Sequence, residues 1–207
     1  MIAIIDYGMG NLYSVSQALS RMGFQSCITD DPAVIRDADG VILPGVGAFG
    51  DAMMELNKRN LVEVIREIVL TENKPFLGIC LGMQLLFTSS DEYGYHQGLH
   101  LLPGHVKKFE GDYHIPHIGW NALRFMGPHP LLKEVEEGYV YFVHSFFVVP
   151  DNSEDVLAVT DYYQDVPAVV GRNRLFGMQF HPEKSGDVGQ QLLKRFASLC
   201  IREASTR

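Results

Sequence analysis

The sequence is short of cysteine, of clustered basic residues and of long apolar runs, and each shortage removes a class of protein. Its three cysteines, Cys27, Cys80 and Cys200, are odd in number, far apart and form no Cys-x-x-Cys pair. No disulfide framework is expected, and a reducing, cytoplasmic setting fits. No apolar run reaches the roughly 18 residues a membrane helix needs, so no transmembrane segment is expected. Lys and Arg total 17 against 25 Asp and Glu, a formal net charge of -8, and they are scattered along the chain. Neither nucleic acid nor an anionic membrane surface is an expected partner. The opening MIAIIDYGMG has no basic region leading into a long apolar stretch, so a signal peptide is not expected. Internal repeats, low-complexity segments and Gly/Ser- or Pro-rich linkers are missing too. Residues 1–207 are therefore expected to form a single domain, long enough to bury a sizeable core.

What is present is an alternation of short apolar runs and amphipathic stretches. IAIID (2–6) reads as a strand closed by Asp6, with YGMGN as a turn. Leu12, Val15, Leu19 and Met22 recur at helical spacing, and Gly23 stops them. FQSCIT reads as a second strand ending in a turn at DDP, and GVILPGVGAFG (40–50) as a buried strand running into a glycine-rich loop. Helices are expected over 50–58 and 60–71, the second with Leu61, Ile65, Ile68 and Val69 on one face. KPFLGI (74–79) is a fourth strand, and MQLLFTSS after Cys80 has helix-forming composition. Beyond residue 100 the runs become short and strand-like with few helices between them. A closing helix over 187–202 carries Val188, Leu192, Phe196 and Leu199, with Cys200 beside them, as a core stripe. The expected fold class is α/β, a mostly parallel central sheet flanked by helices with added antiparallel strands in the second half.

Three segments carry the chemistry. Gly78-Ile79-Cys80-Leu81-Gly82 has the G-x-nucleophile-x-G form of a sharp strand-to-helix turn. Its glycines remove Cβ atoms that would clash, and the central side chain projects from the carboxyl edge of the sheet. A helix N-terminus beside a sulfur favours the thiolate, and its N–H groups face any oxyanion formed there. A buried structural cysteine is the plain alternative, and it is the preferred reading for Cys27 and Cys200. In FGMQFHPEKS (176–185) an apolar strand ends in His181-Pro182-Glu183, where a base and its orienting carboxylate can leave a strand end together. The proline makes that turn stiff. Alone it could be an ordinary surface turn; with a cysteine elbow it completes a Cys-His-Glu set. PGVGAFG (44–50) follows a strand, and an N–H from Val46-Gly47 could pair with that of Leu81 as an oxyanion hole. No Gly-Lys-Ser/Thr follows it, and GMGNLY (8–13) lacks the third glycine of a dinucleotide fingerprint, so a nucleotide site is disfavoured. His114 and His117 are close together, but a proline separates them and no third ligand accompanies them, so no metal site is expected. Trp120, the one tryptophan, is either core or an interface anchor.

LPGVGAFGDAM, LGICLGMQLLF and FGMQFHPEKS, in that order, together resemble the class I, triad-type glutamine amidotransferases, whose fold is flavodoxin-like. IDYGMGNL, HIGWN and YFVHSF extend the resemblance over nearly the whole chain, towards the glutaminase subunits of imidazole glycerol phosphate synthases of histidine biosynthesis. The resemblance implies Cys80 as nucleophile, His181 as general base and acid, and Glu183 as the group that orients it. It implies glutamine contacts from Gly45, Val46, Gly47, Leu81 and Gln84, and from the backbone of Ser145 and Phe146. Trp120, Tyr141, His144 and Lys184 would lie near a partner interface. No cofactor is implied. Ammonia is mostly ammonium near pH 7 and would be wasted in bulk water, so direct transfer to an acceptor site on another polypeptide is expected; the resemblance implies that this is a (β/α)8-barrel cyclase subunit, in a heterodimer. Rival readings are the glutaminase subunit of another synthase (anthranilate, aminodeoxychorismate or pyridoxal phosphate), a partner-independent cysteine hydrolase, and a non-catalytic scaffold.

Overall fold

An apolar run with no polar alternation has to be covered on both faces, and the N-terminal strands are placed accordingly. The computed structural model describes residues 1–112 and 114–201. Strand β1 (Ile2–Ile5) is followed by α1 (Leu12–Arg21), β2 (Ser26–Thr29), α2 (Pro32–Asp37) and β3 (Gly40–Gly45). Then come α3 (Phe49–Lys58), α4 (Leu61–Leu70), β4 (Phe76–Cys80) and α5 (Leu81–Gln84). Eight strands follow, with no α-helix between them among the described residues: β5 (Phe87–Ser90), β6 (His96–Gln97), β7 (Leu102–Lys108), β8 (His117–Phe125), β9 (Tyr139–His144), β10 (Phe146–Pro150), β11 (Val156–Asp161) and β12 (Asp165–Arg172). β13 (Leu175–Met178) and α6 (Gly186–Cys200) close the described chain.

The larger sheet has the order β2-β1-β3-β4-β13-β12-β11-β8-β9. Pairings from β2 through to β13 are parallel, and those from β13 outwards to β9 are antiparallel. The expected parallel sheet with an antiparallel extension is what forms. A separate sheet, β10-β7-β5-β6, packs beside it.

Alternate residues of the same strand enter opposite cores. Ala3, Ile5, Val41 and Leu43 face the side covered by α2, α3 and α4, while Ile2, Ile4 and Ile42 face α1 and α6. Leu61, Ile65, Ile68 and Val69 of α4 are buried together, as their spacing requires. Leu192, Phe196 and Cys200 of α6 are buried with Leu193 and Ala197, while Val188 and Leu199 sit at the margin. Each side chain so covered is worth about 1.5–3 kcal/mol against exposure. No helix among the described residues is long and apolar enough to cross a membrane.

Three expectations need correction. MQLLFTSS is not a helix: α5 is a single turn, and Phe87–Ser90 becomes β5 because it pairs with β7 and β6. Tertiary pairing overrides local propensity there. The turn expected at DDP opens α2, whose N-cap Asp31 accepts from the Ala33 N–H at 2.8 Å with Pro32 in the first turn. The closing helix ends at Cys200, and Arg202 lies outside the described residues.

Candidate active site

Cys80 ends β4 with φ +55° and ψ -112°, a conformation that side-chain-bearing residues rarely adopt. The glycines around it explain how the chain tolerates the turn. A Cβ on Gly82 would stand 1.8 Å from the Leu43 carbonyl oxygen, and one on Gly78 would stand 2.4 Å from the Gly82 oxygen. Parallel register places Cys80 beside Gly45 of β3. The sulfur-bearing residue is therefore lifted out of the sheet at its carboxyl edge, in the crevice where open α/β sheets place their ligands.

β13 runs parallel to β4 with Met178 opposite Ile79, so the three residues after it come out beside Cys80. His181 is 6% exposed, and its Nδ1 lies 3.1 Å from Glu183 Oε1. The Pro182–Lys184 turn is tied by Ser185, whose Oγ donates to the His181 carbonyl at 2.7 Å. Burial alone would lower the His181 pKa. Hydrogen bonding and charge interaction with Cys80 and Glu183 outweigh it and raise the imidazole to about 10. These partners favour the charged ring, with Glu183 Oε1 facing Nδ1. Glu183 Oε2 is buried and has no hydrogen-bond partner among the described residues.

A cavity of about 630 Å³ opens over these groups, lined by Val46, Gly47, Leu81, Gln84, Ser145 and Phe146 together with Cys80 and His181. Gly45 is not part of its wall; it packs under the elbow, where an added Cβ would meet Tyr7 Oη at 2.6 Å. The α5 turn is too short to supply the extended helix field expected from the sequence. Gln84 Nε2 donates to the Phe146 carbonyl and to Gln179 Oε1, both at 3.1 Å, and Gln179 Nε2 lies 3.8 Å from Cys80 Sγ.

Several residues at this site were not singled out in the sequence. Gln179 is fully buried, and one polar residue inside the apolar run FGMQF was its signal. Tyr7 donates its hydroxyl to the Pro44 carbonyl at 2.9 Å; burial, then the nearby Cys80, raises its pKa. Glu92 lines the cavity and accepts from the Phe49 N–H at 2.7 Å, with burial raising its carboxyl despite that bond. Lys108 also lines the cavity, directly across from Phe146 in the β7–β10 ladder. Nothing in the local sequence around Glu92 or Lys108 marks either one.

The residues expected at an interface divide. Trp120 is 53% exposed on β8 and lies 5.9 Å, ring to ring, from the half-buried Tyr141 opposite it on β9. Lys184 is exposed. His144 differs from these: it is 6% exposed and borders the cavity from inside, because the strand's alternation puts Tyr139, Tyr141 and Val143 outside and Val140, Phe142 and His144 inside. His114 is exposed and His117 fully buried, and no cluster of three metal-ligating side chains occurs among the described residues.

Residues 3–199 match the family of class-I glutamine amidotransferases. The chain belongs to that family. Within it, the chain is 53% identical over 205 residues to the imidazole glycerol phosphate synthase subunit HisH of Geobacillus sp. (strain WCH70), covering 96% of this chain and 97% of that one. It is 50% identical to the HisH subunit of Halalkalibacterium halodurans across all of both chains, and 46% identical to that of Bacillus subtilis over 98% of each. Among solved structures, a glutamine amidotransferase superposes with a TM-score of 0.78 at 17% identity, covering 97% of this chain and 99% of that one. The PurLQS complex of Thermotoga maritima contains a chain matching at a TM-score of 0.75 and 21% identity, over 95% and 97% of the two chains. These last two establish the shared fold.

Proposed function

We propose that this chain is the glutaminase subunit of an imidazole glycerol phosphate synthase, acting in the cytoplasm with a (β/α)8-barrel cyclase subunit. The observation that carries the reading is the convergence of Cys80, on its strained turn, with His181 held by Glu183 in one cavity. Cys80 sulfur attacks the side-chain carboxamide carbon of glutamine, and the carbonyl electron pair moves onto oxygen. The N–H of Leu81 and one from the Val46–Gly47 segment hold that oxyanion; losing one such donor costs about 100- to 1000-fold in rate. When the tetrahedral species collapses, the C–N bond breaks and His181 gives its proton to departing ammonia. His181 then removes a proton from water, which opens the thioester to glutamate and returns the sulfur. Glu183 keeps the proton on Nδ1 throughout.

The zwitterionic end of glutamine needs groups of both signs. Glu92 faces the cavity as the anion for the α-ammonium, and the Ser145–Phe146 backbone with Lys108 opposite it suits the α-carboxylate. Trp120, Tyr141 and Lys184 lie on the face next to the His181 turn; Tyr141 N–H donates to Ser185 Oγ at 3.0 Å, and an added Cβ on Gly186 would come 4.0 Å from the Trp120 ring. This face receives the cyclase, and ammonia passes across it to yield imidazole glycerol phosphate and aminoimidazole carboxamide ribotide. The test is glutamate release with and without a barrel cyclase and its nucleotide substrate. Strong stimulation by the loaded partner, abolished by Cys80→Ala, supports the reading. Stimulation only by a different synthase would overturn the pathway and keep the triad.

A further inference from the structure

Two buried histidines have no part in the steps above. His117 opens β8 and His144 closes β9, and antiparallel register sets them face to face, with His117 Nδ1 2.9 Å from His144 Nε2. They are 0% and 6% exposed, a placement that costs desolvation and that two apolar side chains would avoid. His144 Nδ1 lies 2.8 Å from the Phe146 carbonyl oxygen, the same oxygen that accepts from Gln84 Nε2 at 3.1 Å. Gln84 continues to Gln179, and Gln179 to within 3.8 Å of Cys80 Sγ. At the other end His117 Nε2 lies 3.1 Å from the Asn121 side-chain amide, which also reaches the Asp161 carbonyl at 2.9 Å. One line of polar contacts runs from the β8–β9 edge to the sulfur.

Proton counting gives the line a direction. A carbonyl oxygen only accepts, so His144 Nδ1 carries the proton at the Phe146 end. In a neutral ring His144 Nε2 is then bare, and His117 Nδ1–H fills it. His117 Nε2 is bare in turn and needs a donor. The Asn121 oxygen faces it there, because Asn121 Nδ2 donates to the Asp161 carbonyl at 2.9 Å, so the line's one mismatched contact falls at this half-exposed outer end. From His117 inwards every bond so arranged points towards the active site. The reverse arrangement leaves a bare Nδ1 against a carbonyl lone pair at the buried end, where an unmet contact costs most. Ser145 sits where strand pairing changes from β8 to β7; the β7 side holds the backbone through Phe109 N–H to the Ser145 carbonyl at 3.1 Å, while the Phe146 carbonyl is met by the side chains of His144 and Gln84.

We infer that His144 is a positioning residue for glutamine turnover: it fixes the Phe146 carbonyl and through it Gln84, while His117 fixes the His144 tautomer. The inference rests on the glutaminase reading and extends it to two residues that touch neither the sulfur nor the triad. It is tested by two substitutions that separate the ring nitrogens, since an asparagine amide nitrogen overlays Nδ1 and a glutamine amide nitrogen overlays Nε2. Glutamate release is measured in the complex with the cyclase and its nucleotide substrate, with KM and kcat determined separately. His144→Gln keeps the contact to His117 and loses Phe146; KM for glutamine should rise about five- to tenfold, the scale of one hydrogen bond, with kcat changed by less than about twofold. His144→Asn keeps the donor to Phe146 and should recover most of that loss in KM. Both variants near wild type, both equally impaired, or Asn worse than Gln would each overturn the inference. Wild-type protein that releases no glutamate with any partner would instead bring down the glutaminase reading, and the inference with it.

Discussion

Replacing His144 by asparagine should make the fold less sensitive to acid, by an amount that the structure sets. Burial, the dominant influence, lowers the His144 pKa from 6.5 to about 3; the bond to Phe146 opposes this, and His117 adds to it. In the unfolded chain the ring returns to about 6.5. Between those two values the unfolded chain binds a proton that the folded chain does not, so stability falls as pH falls. From pH 7.5 to 5.0 the effective interval is about 1.5 units, and at about 1.36 kcal/mol per unit His144 alone removes about 2 kcal/mol. His117 is lowered in the same sense by burial and adds to the effect. His181 works in the opposite sense: raised to about 10, it is protonated in the folded state first, so its contribution is complete below about 6.5 and is lost as pH rises through 10. The comparison of wild type with His144→Asn subtracts His181 from both. Urea unfolding at pH 7.5 and 5.0 is the assay. The variant should lose about 2 kcal/mol less than wild type over that interval, or about 1 M in urea midpoint at an m value near 2. Parallel pH dependences for the two proteins would refute the assignment of a neutral, buried His144.

Other perturbations address other parts of the site. Glu183→Gln leaves the shape of the turn and removes the charge facing His181 Nδ1 at 3.1 Å; glutamate release should fall by about 10- to 100-fold, the scale of a charge-assisted hydrogen bond, and NMR titration should find the imidazole pKa lowered. An unchanged rate would remove Glu183 from the mechanism. Gly82→Ala drives a Cβ to 1.8 Å from backbone oxygen, so the melting temperature should drop with a loss of about 1–3 kcal/mol or more, and Cys80 should no longer label selectively with a glutamine-mimicking alkylator. Trp120→Ala, at a 53% exposed position, should leave urea stability within about 0.5 kcal/mol while weakening calorimetric affinity for the cyclase about tenfold or more. Undiminished affinity would place the partner elsewhere.

Legibility of the sequence followed the range of the forces involved. The strands of the parallel half were readable because complete burial leaves unbroken apolar runs, and α4 and α6 because a covered face repeats every three or four residues. The elbow was readable because its steric demand is local: Gly78 and Gly82 are required by atoms within the same turn or the adjoining strand. β5 was not readable, because Phe87–Ser90 becomes a strand only through partners at Leu102 to Val106 and at His96–Gln97. Glu92 and Lys108 were invisible for the same reason, since each reaches the cavity from a separate strand system. His144 is a subtler case. The resemblance implied a place near an interface, and its side is fixed by strand alternation, which puts it with Val140 and Phe142.

The site joins parts held in unequal ways, and this places its control. Cys80 and His181 leave the ends of adjacent parallel strands whose register is fixed over four or five residues by backbone pairing. Glu183 is fixed to His181 through a proline turn, and Gln84 through Phe146 and Gln179. The oxyanion side is different. Its approach is anchored at Pro44 by the Tyr7 hydroxyl, but beyond that Val46 is 45% exposed and Gly47 stands at φ +100°, where the backbone turns freely only because no Cβ is present. Cys80 and His181 are therefore built into the sheet, whereas the N–H that the proposed mechanism assigns to the oxyanion hangs on a glycine loop at the rim. On the proposed mechanism, we expect binding energy from a partner to act at the Val46–Gly47 peptide. The isolated chain should accordingly label at Cys80 while turning glutamine over slowly, and the cyclase should raise kcat far more than it lowers KM. A lone chain that hydrolyses glutamine as fast as the complex would show that the rim loop is already set and that control lies elsewhere.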